Sequence, residues 1–98
     1  MTKVIHMFKK DLSQIKNIQD TEKLYYNLYE TENPSYTTYG IEIISKKKNK
    51  SETTSLQQIS ESKCLIINII TYLYENSIKP NSACGIISDL INADFLRN

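Results

Sequence analysis

The chain predicts an α+β fold: an antiparallel sheet of about three strands in its first half, with a C-terminal helical hairpin packed on one face. Three observations predict it. Apolar residues alternate with polar ones between Lys23 and Lys46, they recur at steps of three and four after Lys63, and turn signals at Asn33-Pro34-Ser35 and Ser77–Pro80 divide the segments. With 98 residues, 40% of them apolar and 23% charged, there is enough apolar surface for one modest core and not for two.

The first segment has the spacing of a helix. Val4, Ile5, Phe8, Leu12 and Ile15 fall at steps of three and four, with Lys9, Lys10 and Lys16 on other faces. Residues 1–19 are therefore expected as an N-terminal amphipathic helix or arm, and residues 20–98 as the α+β domain proper. From Lys23 to Glu32 the period changes, because Leu24, Tyr26 and Leu28 alternate with Tyr25, Asn27 and Tyr29. That pattern is a strand.

After the turn, Tyr36 to Lys46 alternates again, with Tyr39, Ile41 and Ile43 on one side and Gly40, Glu42 and Ile44 on the other. Glycine inside a strand packs nothing, so Gly40 is expected where another group approaches closely, with Tyr72 or Tyr74 on a helix beneath as candidates. Lys46, Lys47, Lys48 and Lys50 with Asn49 form a polar hairpin tip, and Glu52 to Ile59 follows as an edge strand.

The second half is helical. Ser60 or Ser62 can cap a helix running to about Asn76, in which Leu65, Ile66, Ile69, Ile70 and Leu73 share a face. Asn81 or Ser82 can cap a second, striped by Ala83, Ile86, Ile87, Leu90 and Ile91. If Cys64 and Cys84 each sit in the first turn of one of two antiparallel helices, they lie at opposite ends of the pair, about 20 Å apart at roughly 1.5 Å rise per residue, too far for a disulfide. With His6 the one histidine and no Cys-x-x-Cys spacing, no zinc site and no cofactor site is expected. The two thiols are expected to be inert and buried.

Charge excludes as much as it suggests. Net charge is +1, with nine lysines against six acids in residues 1–50 and the balance reversed after that. Neither half commits the chain to nucleic acid or to anionic lipid. MTKVIHMFKK has no secretory apolar core, and the apolar stretch from Cys64 to Tyr74 is broken by Asn68 and Thr71, so a cytoplasmic protein with no membrane partner is expected. Acid pairs such as Glu30 with Glu32, or Asp89 with Asp94, come with no serine elbow or glycine-rich loop, and an enzyme is the least supported class. A helix-turn-helix reading fails because Asp89 and Asp94 on the second helix would face phosphate with only Arg97 in return.

Seven tyrosines supply the remaining signal. Tyrosine has an apolar body and a polar tip, which suits interfaces. Tyr25, Tyr29, Tyr36 and Tyr39, together with Lys46, Lys47 and Lys48, are the candidate interaction residues. The reading preferred is a non-enzymatic protein-interaction module, a small regulator or adaptor, whose partner is another protein or a second copy in a homodimer. The alternative is a nucleic-acid-binding protein using the tyrosine-rich sheet and the lysine tip. A further alternative is a small-ligand sensor with a pocket between sheet and helices.

In order and spacing, Tyr25-Tyr26-Asn27-Leu28, then Tyr39-Gly40-Ile41-Glu42-Ile43, then Leu73-Tyr74-Glu75-Asn76-Ser77-Ile78-Lys79-Pro80, resemble a family of small uncharacterised proteins of endospore-forming clostridia. The resemblance covers about residues 22–97 and implies a source and a fold, since that family has no assigned activity. Heavy use of isoleucine, asparagine and lysine, with a single arginine, agrees with an AT-rich source. Where similar proteins carry a histidine and then an acid in the second helix, this chain has Ser82 and Gly85. Residues 1–19 are poorly shared.

Overall fold

Tyr25 and Tyr26 are neighbours in the chain and end on opposite sides of one sheet, and that alternation organises the molecule. The computed structural model describes residues 1–13 and 21–96. Within them lie β1 (Thr2–Ser13), β2 (Thr21–Glu32), β3 (Thr37–Lys47), β4 (Lys50–Ser60), α1 (Lys63–Glu75) and α2 (Pro80–Leu96). The strands pair antiparallel in the order β1-β2-β3-β4, a meander built from local connections. No helix among the described residues is long and apolar enough to cross a membrane.

The sheet has four strands, not about three, because the segment expected as an N-terminal helix is β1. The physical reason is a bulge. Ile5 pairs with Leu28 and Phe8 with Tyr26, so the register slips by one residue between His6 and Phe8. Two residues of β1 then oppose one of β2, and Ile5, Phe8 and Leu12 reach the same side of the sheet at steps of three and four. That is the spacing of a helix face, produced here by a strand. Ile15 lies outside the described residues. Val4, on the other side, stays exposed.

One side of the sheet carries the core. Leu24, Tyr26 and Leu28 of β2 and Ile41 and Ile43 of β3 meet Ile66, Ile69, Ile70 and Leu73 of α1, with Ala83 and Ile87 of α2 completing the cluster. Full burial of a side chain of this size stabilises by about 1.5–3 kcal/mol, so this layer dominates folding. Ser62 is the N-cap of α1, its hydroxyl accepting from the Leu65 amide at 3.2 Å. Ser60, the other candidate, accepts instead from the Ser62 amide.

The exit of α1 is closed in the opposite sense. Ser77 takes a positive φ of 52°, its amide bonds the Tyr74 carbonyl, and the Ile78 amide bonds the Leu73 carbonyl. These are the two bonds of a Schellman ending, made here without glycine. Pro80 then opens α2, where a missing N–H costs nothing, so Asn81 and Ser82 lie inside the first turn and do not cap it as expected.

The connection between the helices is held from the sheet. Lys10 donates to the Tyr74 carbonyl and to the Ser77 hydroxyl, while its ammonium lies 4.6 Å from the centroid of the Tyr74 ring. Tyr26 donates to the Ile78 carbonyl at 2.9 Å, Thr54 to the Pro80 carbonyl at 2.7 Å, and Glu22 pairs with Lys79 at 3.0 Å. Burial alone would raise the Glu22 carboxyl. The Ser45 hydroxyl and the Lys79 ammonium, with Lys47 behind them, outweigh it and hold the group below its usual value.

Both cysteines are exposed and free, against the expectation of buried thiols. Cys64 lies two residues before Ile66 and so turns away from the stripe of α1 that meets the sheet. Cys84, next to Ala83, sits at the border of the α2 stripe, beside the groove between β4 and α2.

Gly40 is a close approach, but its neighbour is β4 and not a helix tyrosine. Tyr39 pairs with Ser60 and Ile41 with Leu56, so Gln57, Gln58 and Ile59 all oppose this one glycine, and Gln58 bends through a positive φ of 53°. A Cβ at Gly40 would stand 2.2 Å from the Leu56 carbonyl oxygen and 2.8 Å from the Gln57 Cα. Main-chain atoms cannot rotate aside. Gly40→Val is therefore expected to cost at least about 1–3 kcal/mol, the usual range for overpacking, read as a lower urea midpoint at unchanged slope. A midpoint at or above the parent's would contradict this packing.

Candidate functional site

With both helices on one side, the other side of the sheet is open, and it is built from polar residues in register. His6, Asn27, Glu42 and Ser55 are successive partners across β1, β2, β3 and β4. The His6 Nδ1 lies 3.1 Å from the Asn27 Oδ1, and Asn27 Nδ2 donates to Glu42 Oε1 at 2.9 Å. Tyr29 donates to Glu42 Oε2 at 2.8 Å, with Ser55 Oγ 3.2 Å from its hydroxyl. One hydrogen-bonded rung thus spans all four strands. Asn27 is only 1% exposed although no helix covers it, because its neighbours on the rung and Tyr29 close over it.

That burial makes the rung a constraint. A buried amide costs free energy unless both its ends are bonded, and here both are. Burial pushes the Tyr29 phenol above its usual value, and although the Ser55 contact works against this, the adjoining Glu42 carboxylate reinforces it. The hydroxyl stays protonated and donating.

Beside this rung lies an open depression of about 440 Å³ lined by His6, Met7, Lys9, Tyr25, Ile44 and Lys46 among others. Its wall is the Tyr25 ring, with the Lys9 ammonium 5.9 Å and the Lys46 ammonium 5.4 Å from the centroid. A cation at that distance over an aromatic ring is held by the ring's quadrupole. Two of them share this one.

Of the candidate interaction residues, the structure brings together Tyr25 and Lys46. Tyr29 is on the same side but is buried in the rung. Tyr39 is on the helix side, its ring 5.9 Å from the Lys63 ammonium. Tyr36, half exposed, is in the connection between β2 and β3, at the opposite end of the sheet from the lysine tip. Lys47 and Lys48 are exposed at that tip and do not line the depression. Lys9, His6, Met7 and Ile44 are among the lining residues that sequence reasoning missed. The signal for Lys9 was its alternation with Phe8 and Lys10 along a strand, hidden by the bulge.

Among the described residues no group of three or more His, Cys, Asp or Glu side chains could hold a metal ion. Glu30 is committed to Lys3 at 3.2 Å and to Lys63 at 3.8 Å.

A family model described as a family of unknown function (DUF6514) matches residues 5–93, and the chain belongs to that family. The match begins inside β1. No curated protein and no solved structure matches the chain.

All four rung residues lie within the matched stretch, and their contribution can be measured. Glu42→Ala would leave the buried Asn27 amide without its acceptor and the Tyr29 hydroxyl with Ser55 Oγ alone, at an expected cost of about 1–3 kcal/mol. Glu42→Gln, which keeps a carbonyl oxygen, should cost less. Urea denaturation of the two variants beside the parent checks the order, and equal stability of all three would show that the rung contributes nothing.

Proposed function

We propose that this chain is a non-enzymatic protein-interaction module, a small regulator or adaptor, that receives its partner on the helix-free side of the sheet. The observation that carries the reading is the depression at Tyr25, Lys9 and Lys46 beside a hydrogen-bonded rung. The rung holds the strands in one register, so the groups around the depression are positioned before a partner arrives, which lowers the ordering cost of binding. A partly exposed aromatic anchor such as Tyr25 is also the side-chain chemistry enriched at interfaces.

Nucleic-acid binding is less favoured by the same geometry. A single-strand platform needs successive stacking rings along a basic track. Here Tyr29 is buried in the rung, Tyr39 is under the helices, and Asp11 and Glu42 share the open side with Tyr25. A small-ligand sensor is less favoured because an open depression does not enclose most of a ligand's surface. A second copy of the chain is a further candidate partner, since β1 and β4 are each paired along one edge only. A cytoplasmic site of action and a source among endospore-forming clostridia complete the proposal, the latter on the sequence resemblance.

A photo-reactive amino acid in place of Lys23, which is exposed and pairs with Lys46, tests the reading in the source cell. One in place of Tyr72, exposed on α1, is the control. A discrete protein adduct from position 23 and none from position 72 is expected. Equal labelling from both positions, or nucleic acid in the adduct, would contradict it.

A further inference from the structure

We infer that the depression receives the carboxylate of an acidic side chain carried on an extended segment of the partner, with Lys9 and Lys46 as its cationic contacts. The inference rests on the interaction reading above and adds the chemistry of the occupant. Among the described residues neither ammonium has an acidic partner: the ion pairs there use Lys3, Lys50, Lys63 and Lys79. Two like charges are held beside one ring, and a carboxylate between them relieves their repulsion while gaining charge-assisted hydrogen bonds. Charge complementarity therefore selects an anion.

The shape selects its carrier. Ile44 and Met7 line the same depression, so the occupant brings apolar surface next to its charge. A free anion cannot do that. An extended segment can, because its side chains return to one face every second residue and present an acid and an apolar group in alternation to a flat sheet. A nucleic-acid strand fits less well, since its phosphates would also meet Asp11 and Glu42 on the same side.

The test is a ¹H–¹⁵N correlation titration of the full chain with a short acetylated, amidated peptide in which two glutamates flank one leucine. Its glutamine counterpart, sodium glutamate and a thymidine decanucleotide are run in parallel. The acidic peptide is expected to move the amides of Lys9, Tyr25 and Lys46, and to bind at least about tenfold more tightly than the glutamine peptide or free glutamate. Combining Lys9→Gln with Lys46→Gln should weaken binding by a similar factor, while Lys47→Gln with Lys48→Gln should leave it unchanged. Rising salt should weaken it.

Any of four results would overturn the inference: no binding of the acidic peptide, equal binding of the glutamine peptide, loss on changing the tip lysines instead, or tighter binding of the decanucleotide. Failure here with a discrete protein adduct from position 23 would remove the acidic occupant and leave the interaction reading standing. Absence of both would remove both.

Discussion

Tyr26 is fully buried, and its hydroxyl ends on the carbonyl of Ile78, so the middle of the sheet and the connection between the helices are held by one side chain. Burial, with Glu22 nearby, pushes its phenol up to about 12, which keeps the donor protonated. Its ring meets Tyr74 edge-on, Tyr74 stacks on Phe8 at 4.4 Å, and Lys10 completes the other contacts of the α1 terminus. Three strands thus converge on the stretch from Tyr74 to Pro80: β1 through Lys10, β2 through Tyr26 and Glu22, and β4 through Thr54. Once the connection is fixed there, α1 and α2 have one side of the sheet on which to lie.

That one-sided packing determines the character of the other side. A sheet with both faces covered by helices carries near-continuous apolar strands, whereas β2 and β3 alternate, and their second set includes Tyr25, Asn27, Tyr29, Glu42 and Ile44. Register matters more than usual for such a sheet, since a slip by one residue would exchange the two sets. The rung from His6 to Ser55 resists that slip by hydrogen bonding, and the core layer resists it by burial. The two constraints agree on the same register.

Strand parity made much of this legible. The assignments of Leu24, Tyr26 and Leu28 against Tyr25, Asn27 and Tyr29, and of Ile41 and Ile43 against Gly40 and Glu42, follow from alternation alone. The stripes of the two helices were legible from apolar residues at steps of three and four. Alternation failed at β1, because a bulge at Met7 imitates a helical step, and the strand it hid supplies Lys9 and His6 to the depression. Composition misled for the cysteines: free cysteine is usually buried, but here isoleucine and leucine fill the inward positions and leave Cys64 and Cys84 outside. Gly40 was legible as a close approach. Its neighbour was not, because nothing local in Gln57-Gln58-Ile59 announces that three residues will oppose one.

The open side exists only if each side chain takes the face that strand alternation gives it, and Tyr25 and Tyr26 report that as adjacent residues. Tetranitromethane nitrates accessible tyrosines through their phenolates, and fragment masses separate the two positions. In the native protein Tyr25, Tyr36 and Tyr72 are expected to take a nitro group, while Tyr26 stays unmodified until denaturant unfolds the chain. Nitration of Tyr26 at the rate of Tyr25 under native conditions would contradict the placement of the helices, and with it the open face on which the proposed site depends.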